Sequence, residues 1–242
     1  MSKEMGAALV ACPTYAGKEY CLDEWVAMYR ALDYEPKHAY QVDNTRGTKA
    51  YFDTICSKGI DATYLEAWPD WDRTFRRCWE LILSRAQLLD CYWIYSVEAD
   101  NIPAPESLYE MIYIALRAGI HLVFHSYPMH KTAAEASGLD PYSFMYHELG
   151  CMLVSRKLLE KAIADFDKYQ NIVIAIQETC RKMEAGSAIL TSKFEVKHLD
   201  GYEMAYSNLA PSNVKGLICP TPSMPADFGT VLPPSLREEK VS

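Results

Sequence analysis

The sequence predicts an α/β domain built on a mixed, mostly parallel sheet flanked by helices on both faces. Three observations carry this: an uninterrupted apolar run near the start, strand-like and helix-periodic segments alternating over the first hundred residues, and polar turns closing successive strands. Residues 7–12 (Ala-Ala-Leu-Val-Ala-Cys) are apolar throughout, as a strand buried on both faces must be. That run ends at Pro13-Thr14-Tyr15-Ala16-Gly17. Residues 21–32 space Leu22, Trp25, Val26, Tyr29 and Leu32 three or four apart, which predicts a helix. A second strand over 38–42 stops at the turn-rich Asp43-Asn44-Thr45-Arg46-Gly47. A helix over 51–58, a short strand over 62–65 and a long helix over 73–89 follow. The long helix sets Phe75, Trp79, Ile82, Leu83 and Ala86 on one side, and Arg73, Arg76, Arg77 and Glu80 on the other.

It leads into Tyr92-Trp93-Ile94-Tyr95-Ser96-Val97-Glu98-Ala99-Asp100-Asn101-Ile102-Pro103-Ala104-Pro105, an aromatic strand ending in two carboxylates one residue apart. Residues i and i+2 of a strand share a face, so Glu98 and Asp100 are expected to aim at one point past the strand's end. Two hard oxygen donors there suit Mg²⁺ or Mn²⁺, whose shell a substrate phosphate completes. A solvated turn with Asp100 near a helix start accounts for the same residues. The prolines stop the strand, and a helix is expected from about 106 to 116. Ligands of such sheets bind beyond the carboxyl ends of the strands. Those ends carry Pro13-Thr14-Tyr15, Asp43-Asn44 and Glu98-Ala99-Asp100, so three polar loops should meet at one crevice.

The second half is less regular. Strands are expected over 121–127, within 142–155, over 188–190 and over 194–199, with helices over 156–169 and 172–185. The expected organisation is one catalytic domain over 1–210, with a nucleotide-binding half over 7–108 and an acceptor-binding half over 109–210. Pro, Ser and Gly become dense beyond 210, which predicts an irregular tail or lid over 211–242.

With 242 residues, half of them hydrophobic, the chain can bury a sizeable core. A net charge of -8 argues against broad electrostatic binding to nucleic acid or an anionic membrane. The longest apolar stretch, 108–124, is broken by Glu110, Arg117 and His121, and residues 1–5 lack a signal-peptide core, so a cytoplasmic protein without stable membrane insertion is expected. The eight cysteines show no CxxC pair and no zinc spacing, so buried reduced thiols are expected.

Taken together, these motifs resemble the GT-A glycosyltransferases, and most closely the family 2 type of nucleotide-sugar-dependent enzyme, over most of 7–205. Pro13-Thr14-Tyr15 resembles the family's first nucleotide-binding loop, and Val42-Asp43-Asn44-Thr45 the second, where an acid contacts uracil or ribose. Glu98-Ala99-Asp100 stands where the family carries Asp-x-Asp, with Glu at the first position. The resemblance implies Asp100 as the direct metal ligand, Glu98 as its helper, Ala99 beside the donor, and His198 completing the shell. Ile176-Gln177-Glu178 resembles the x-Glu-Asp motif of inverting members, which makes Glu178 the candidate base, with Gln177 departing from the pattern. His147-Glu148-Leu149-Gly150 matches the region of acceptor and donor contacts, and Glu148 is the rival base. Arg73, Arg76 and Arg77 are candidate pyrophosphate contacts, since a guanidinium binds phosphate bidentately; a solvated helix face explains them as well.

The implied function is metal-dependent transfer of a sugar from a nucleotide-sugar donor, most simply UDP-linked, to an acceptor hydroxyl, with inversion if Glu178 or Glu148 lies behind the anomeric carbon and with retention if neither does. The acceptor is a glycan, a protein, a small molecule or, with less support from the charge, a modified DNA base. One rival is a nucleotide-sugar-forming nucleotidyltransferase. That class uses a Gly-rich basic loop after the first strand, whereas Pro13-Thr14-Tyr15-Ala16-Gly17-Lys18 has one Gly and one Lys. The other is a non-catalytic nucleotide- or glycan-binding protein of the same fold.

Overall fold

A computed structural model describes residues 5–125, 127–128, 145–146, 150–169, 171–190, 196–199 and 204–206. In chain order the elements are β1 (Ala7–Thr14), a 3₁₀ helix (Ala16–Cys21), α1 (Leu22–Ala31), β2 (Lys37–Asp43), α2 (Ala50–Ser57), β3 (Asp61–Tyr64), α3 (Trp71–Leu88), β4 (Cys91–Val97) and β5 (Asn101–Pro103). Then come α4 (Ser107–Ala118), β6 (Leu122–His125), β7 (Tyr127–Pro128), β8 (Met145–Tyr146), β9 (Cys151–Ser155), α5 (Arg156–Ala164), α6 (Phe166–Tyr169), α7 (Ile172–Lys182), β10 (Ser187–Leu190), β11 (Val196–Leu199) and β12 (Met204–Tyr206).

Seven strands form the central sheet in the order β10-β6-β9-β4-β1-β2-β3. The β1–β2, β1–β4, β2–β3 and β6–β10 pairs are parallel, while β9 runs antiparallel between β4 and β6. The mixed, mostly parallel sheet predicted from the sequence is therefore the observed one. The core divides as the strand period requires. Ala8, Val10, Cys12, Trp93, Tyr95 and Val97 pack under α1, α2 and α4. Their neighbours Leu9, Ala11 and Ile94 pack under α3, α5 and α7. Fully buried tryptophans anchor both sides, Trp25 and Trp93 on one and Trp79 on the other.

Several boundaries move for local reasons. β1 continues through Pro13 to Thr14, because pairing with β4 ends at Ala11 and a residue lacking N–H is tolerated beyond it. α3 starts at Trp71, two residues before the periodicity, because the Asp70 carboxylate caps it by accepting from Arg73 N at 3.1 Å. The single helix expected over 156–169 is two, α5 and α6, separated at Asp165, whose carboxylate accepts from Lys182 Nζ at 2.9 Å. β5 was not expected, since Pro103 and Pro105 argued against a strand there. It is an edge strand that pairs antiparallel with β11, Asn101 opposite His198. No helix among the described residues is long and apolar enough to cross a membrane. Of the expected reduced thiols, Cys12, Cys21, Cys78, Cys91, Cys151 and Cys180 are buried and free, and Cys56 is exposed. The expected tail over 211–242 lies outside the described residues.

Candidate functional site at the carboxyl edge of the sheet

The parallel strands end together at Thr14, Asp43, Tyr64, Val97 and His125, and β9 enters at the same edge through Gly150 and Cys151. The first two loops are stitched to each other. Asn44 N donates to Thr14 O at 2.8 Å, and Ala16 N donates to Thr45 Oγ1 at 2.8 Å. Asp43 Oδ1 accepts from Thr45 N at 2.9 Å and from the Thr45 hydroxyl at 2.5 Å. Tyr51, fully buried on α2, brings its hydroxyl to 3.4 Å from Thr14 Oγ1. Burial raises the Asp43 carboxyl above its usual range, and the two Thr45 bonds only partly offset this. Pro13 and Tyr15 flank Thr14 with more exposure, and Gly17 lies so close to the Tyr15 ring that a Cβ there would collide with it. The loops that the sequence assigned to a nucleotide thus form one braced ledge.

The acidic motif takes a different shape from the one expected. β4 stops at Val97, and Glu98-Ala99-Asp100-Asn101 is a tight turn in which Asn101 N donates to Glu98 O at 2.9 Å. The i, i+2 rule of a strand therefore does not govern the pair: Glu98 is half-buried, and Ala99 and Asp100 are buried. The turn is held from three sides. Trp25 Nε1 donates to Val97 O at 3.1 Å, Glu98 N donates to Gly150 O at 3.1 Å, and Leu199 N donates to Asp100 O at 2.7 Å. The last bond sets the backbone of His198 beside the acid, while its side chain lies outside the described residues.

Asp100 Oδ2 is ion-paired with Lys18 Nζ. Lys18 comes from the 3₁₀ helix after β1, fixed by Lys18 N donating to Tyr15 O at 2.8 Å and Cys21 Sγ donating to Lys18 O at 2.9 Å. Burial works against its charged form, but the Asp100 carboxylate outweighs this and holds the ammonium above its usual range. Sequence reasoning missed Lys18. The signal was one lysine four residues past Thr14, visible but without periodicity.

A divalent ion of the Mg²⁺ or Mn²⁺ type takes about six oxygen ligands. Among the described residues no group of three or more His, Cys, Asp or Glu is gathered, and Asp100 Oδ2 is occupied by Lys18. The described side chains therefore make no all-protein cage for a divalent cation.

The remaining candidates are dispersed. Arg73 is exposed and stacks over Trp68, 4.3 Å from the ring centre. Arg76 pairs with Glu80 at 3.0 Å and with Asp167, tying α3 to α6, and Arg77 pairs with Glu80 at 2.7 Å. Glu178 on α7 accepts from Arg181 at 2.8 Å, and that contact holds its carboxyl below the usual range, the opposite of what a base at neutral pH needs. No hydrogen bond among the described residues ties Glu178 to the loops at the sheet edge. Glu148 lies outside the described residues, two positions before Gly150.

No protein-family model matches the sequence, and no curated protein matches it. Solved structures do. The UDP complex of residues 1–349 of Staphylococcus aureus TarS superposes with a TM-score of 0.52 at 12% identity, covering 78% of this chain and 58% of that one. A longer TarS structure gives 0.49 at 13% identity, with 78% and 35% covered. A197 from STIV gives 0.47 at 12% identity, with 87% and 98% covered. The architecture on which these loops sit is thus a GT-A-like α/β fold, shared with TarS.

Proposed function

We propose that the chain transfers a sugar from a UDP-linked donor to an acceptor hydroxyl. The observation that supports this most is the braced ledge of Thr14, Tyr15, Asp43 and Asn44 beside buried Asp100, at the edge of a GT-A-like sheet where a ligand of such folds binds. The UDP complex of TarS supports a nucleotide-diphosphate donor. In this reading the base and ribose rest on the two stitched loops, with Asp43 accepting from the ribose or uracil, and the diphosphate extends toward the turn at 98–101. Of the three candidate arginines on α3, Arg73 is the one with no carboxylate partner among the described residues, which leaves its guanidinium for a phosphate oxygen.

An acceptor hydroxyl attacks the anomeric carbon while a carboxylate takes its proton. Glu148 suits this role better than Glu178. The latter is committed to Arg181 on its own helix. Attack from behind the leaving group inverts the anomeric centre, as the family resemblance implies.

The test is release of UDP from a panel of UDP-sugars, with wild type and Asp43→Ala compared. Turnover of one sugar that falls at least tenfold in the variant supports the reading. A chain that neither turns over any nucleotide sugar nor binds any nucleoside diphosphate refutes it.

A further inference from the structure

We propose that the Lys18 ammonium, held by Asp100, is the positive charge that receives the donor's diphosphate, the task the family resemblance assigns to a metal ion. This rests on the glycosyl-transfer reading above. The side chain of Asp100 is 2% exposed and that of Lys18 is 24% exposed, so the acid lies behind the base. An incoming diphosphate meets the ammonium before it meets the carboxylate.

The stoichiometry of donors points the same way. A lysine ammonium has three N–H groups and needs one acceptor to fix its position. Asp100 supplies that acceptor, which leaves two N–H groups for phosphate oxygens. The described side chains gather no group of three or more acidic, His or Cys donors that would hold a divalent ion by themselves. Position agrees with charge. Lys18 leaves the same loop that braces Asp43 and Asn44, since Ala16, two residues before it, is bonded to Thr45 and Asn44 to Thr14. Asp100 is fixed independently, by the bond from Leu199 N to its carbonyl. The ammonium is therefore set between the nucleotide ledge and the acidic turn.

In the transfer step the acceptor oxygen bonds to the anomeric carbon, the bond from that carbon to the diphosphate oxygen breaks, and its electron pair stays on the departing diphosphate. The hydroxyl proton goes to the base carboxylate. Lys18 keeps its proton throughout and offsets the charge that collects on the leaving oxygens, a role for which a fixed, preorganised cation is effective.

UDP binding to the full chain, measured calorimetrically in chelator and again with Mn²⁺, tests this for wild type, Lys18→Met, Asp100→Asn and the double variant. Wild type is expected to bind UDP equally, within about threefold, in both buffers. Lys18→Met is expected to weaken UDP about ten- to a hundredfold, the worth of a hydrogen bond to a charged group. The double variant strands no buried acid, so the same loss there, with wild-type melting, separates lost charge from misfolding. Asp100→Asn keeps the ammonium and is expected to lose less affinity than Lys18→Met. UDP binding that appears only with Mn²⁺ overturns the inference. So does a Lys18→Met chain that binds like wild type, or an Asp100→Asn chain that loses more. Failure of wild type to bind any nucleoside diphosphate in either buffer overturns the glycosyl-transfer reading itself.

Discussion

At the sheet edge Asp100 is shut away beneath Lys18, whereas on α7 Glu178 and Arg181 meet in the open, three residues apart on one helix. Both are carboxylate–cation pairs, and their consequences differ because solvent differs. Water screens the α7 pair, and such pairs contribute little to stability. The Lys18–Asp100 pair joins segments 82 residues apart and takes a carboxylate out of water, so each partner depends on the other. Charge patterns alone do not separate the two cases. Burial does, and it makes the sheet edge rather than the α7 surface the place where removing a charge has consequences.

The largest effect expected is on turnover. Glu148→Gln should lower kcat by about a hundredfold or more, as loss of a general base does, while Glu178→Gln stays within tenfold; steady-state UDP release checks both. The reverse ranking would move the base to α7. Next is stability at the buried pair. Lys18→Met leaves Asp100 without its ammonium and should cost about 3 kcal/mol by urea unfolding, most of it restored in the double variant with Asp100→Asn. A smaller loss, about 1–3 kcal/mol, is expected for Trp25→Phe, which keeps the ring but deprives Val97 O of its donor beneath the acidic turn.

Asp43→Asn is expected to have a modest effect with a defined pH signature. Burial raises the folded-state pKa of Asp43 above its unfolded value, so wild-type stability is complete below the unfolded pKa and declines as pH rises through the folded one. The asparagine keeps an oxygen for Thr45 and carries no charge. It should therefore melt higher than wild type at pH 7 and lose that advantage as the pH falls below about 4. Least of all, Arg181→Ala should leave thermal melting unchanged within error, and a measurable drop would show the α7 pair to be more than a surface contact.

Much of this molecule is legible in its sequence because burial on two faces leaves a strong pattern. The run from Ala7 to Cys12 and the aromatic strand before Glu98 announce their own layers, and Trp79 and Ile82 announce the buried side of α3. The braced ledge is legible too, since Asp43, Asn44 and Thr14 stand at strand ends. What escapes is whatever depends on partners distant in sequence. β5 takes its strand identity from residues 196–198, and Lys18 takes its meaning from Asp100. Glu98 and Asp100 stand on a turn rather than a strand, because a bond from Asn101 N to Glu98 O follows the end of β4 at Val97. Arg76 looked like Arg73 in the periodic pattern, and their partners distinguish them, Glu80 and Asp167 for the one and the Trp68 ring for the other.

The strand at Val196–Leu199 has a consequence for the order of assembly. It closes on the acidic turn almost a hundred residues after that turn is made, through Leu199 N on Asp100 O and through Tyr20, whose hydroxyl donates to Leu199 O at 3.1 Å. On a ribosome, the ledge from β1 and β2 emerges long before the segment that fastens the turn beside it. Contacts of such high sequence separation close slowly, because a long loop must be ordered first. A growing chain thus carries the ledge of its first two strands well before the acidic turn is fastened, so the two come together only when Leu199 has been made.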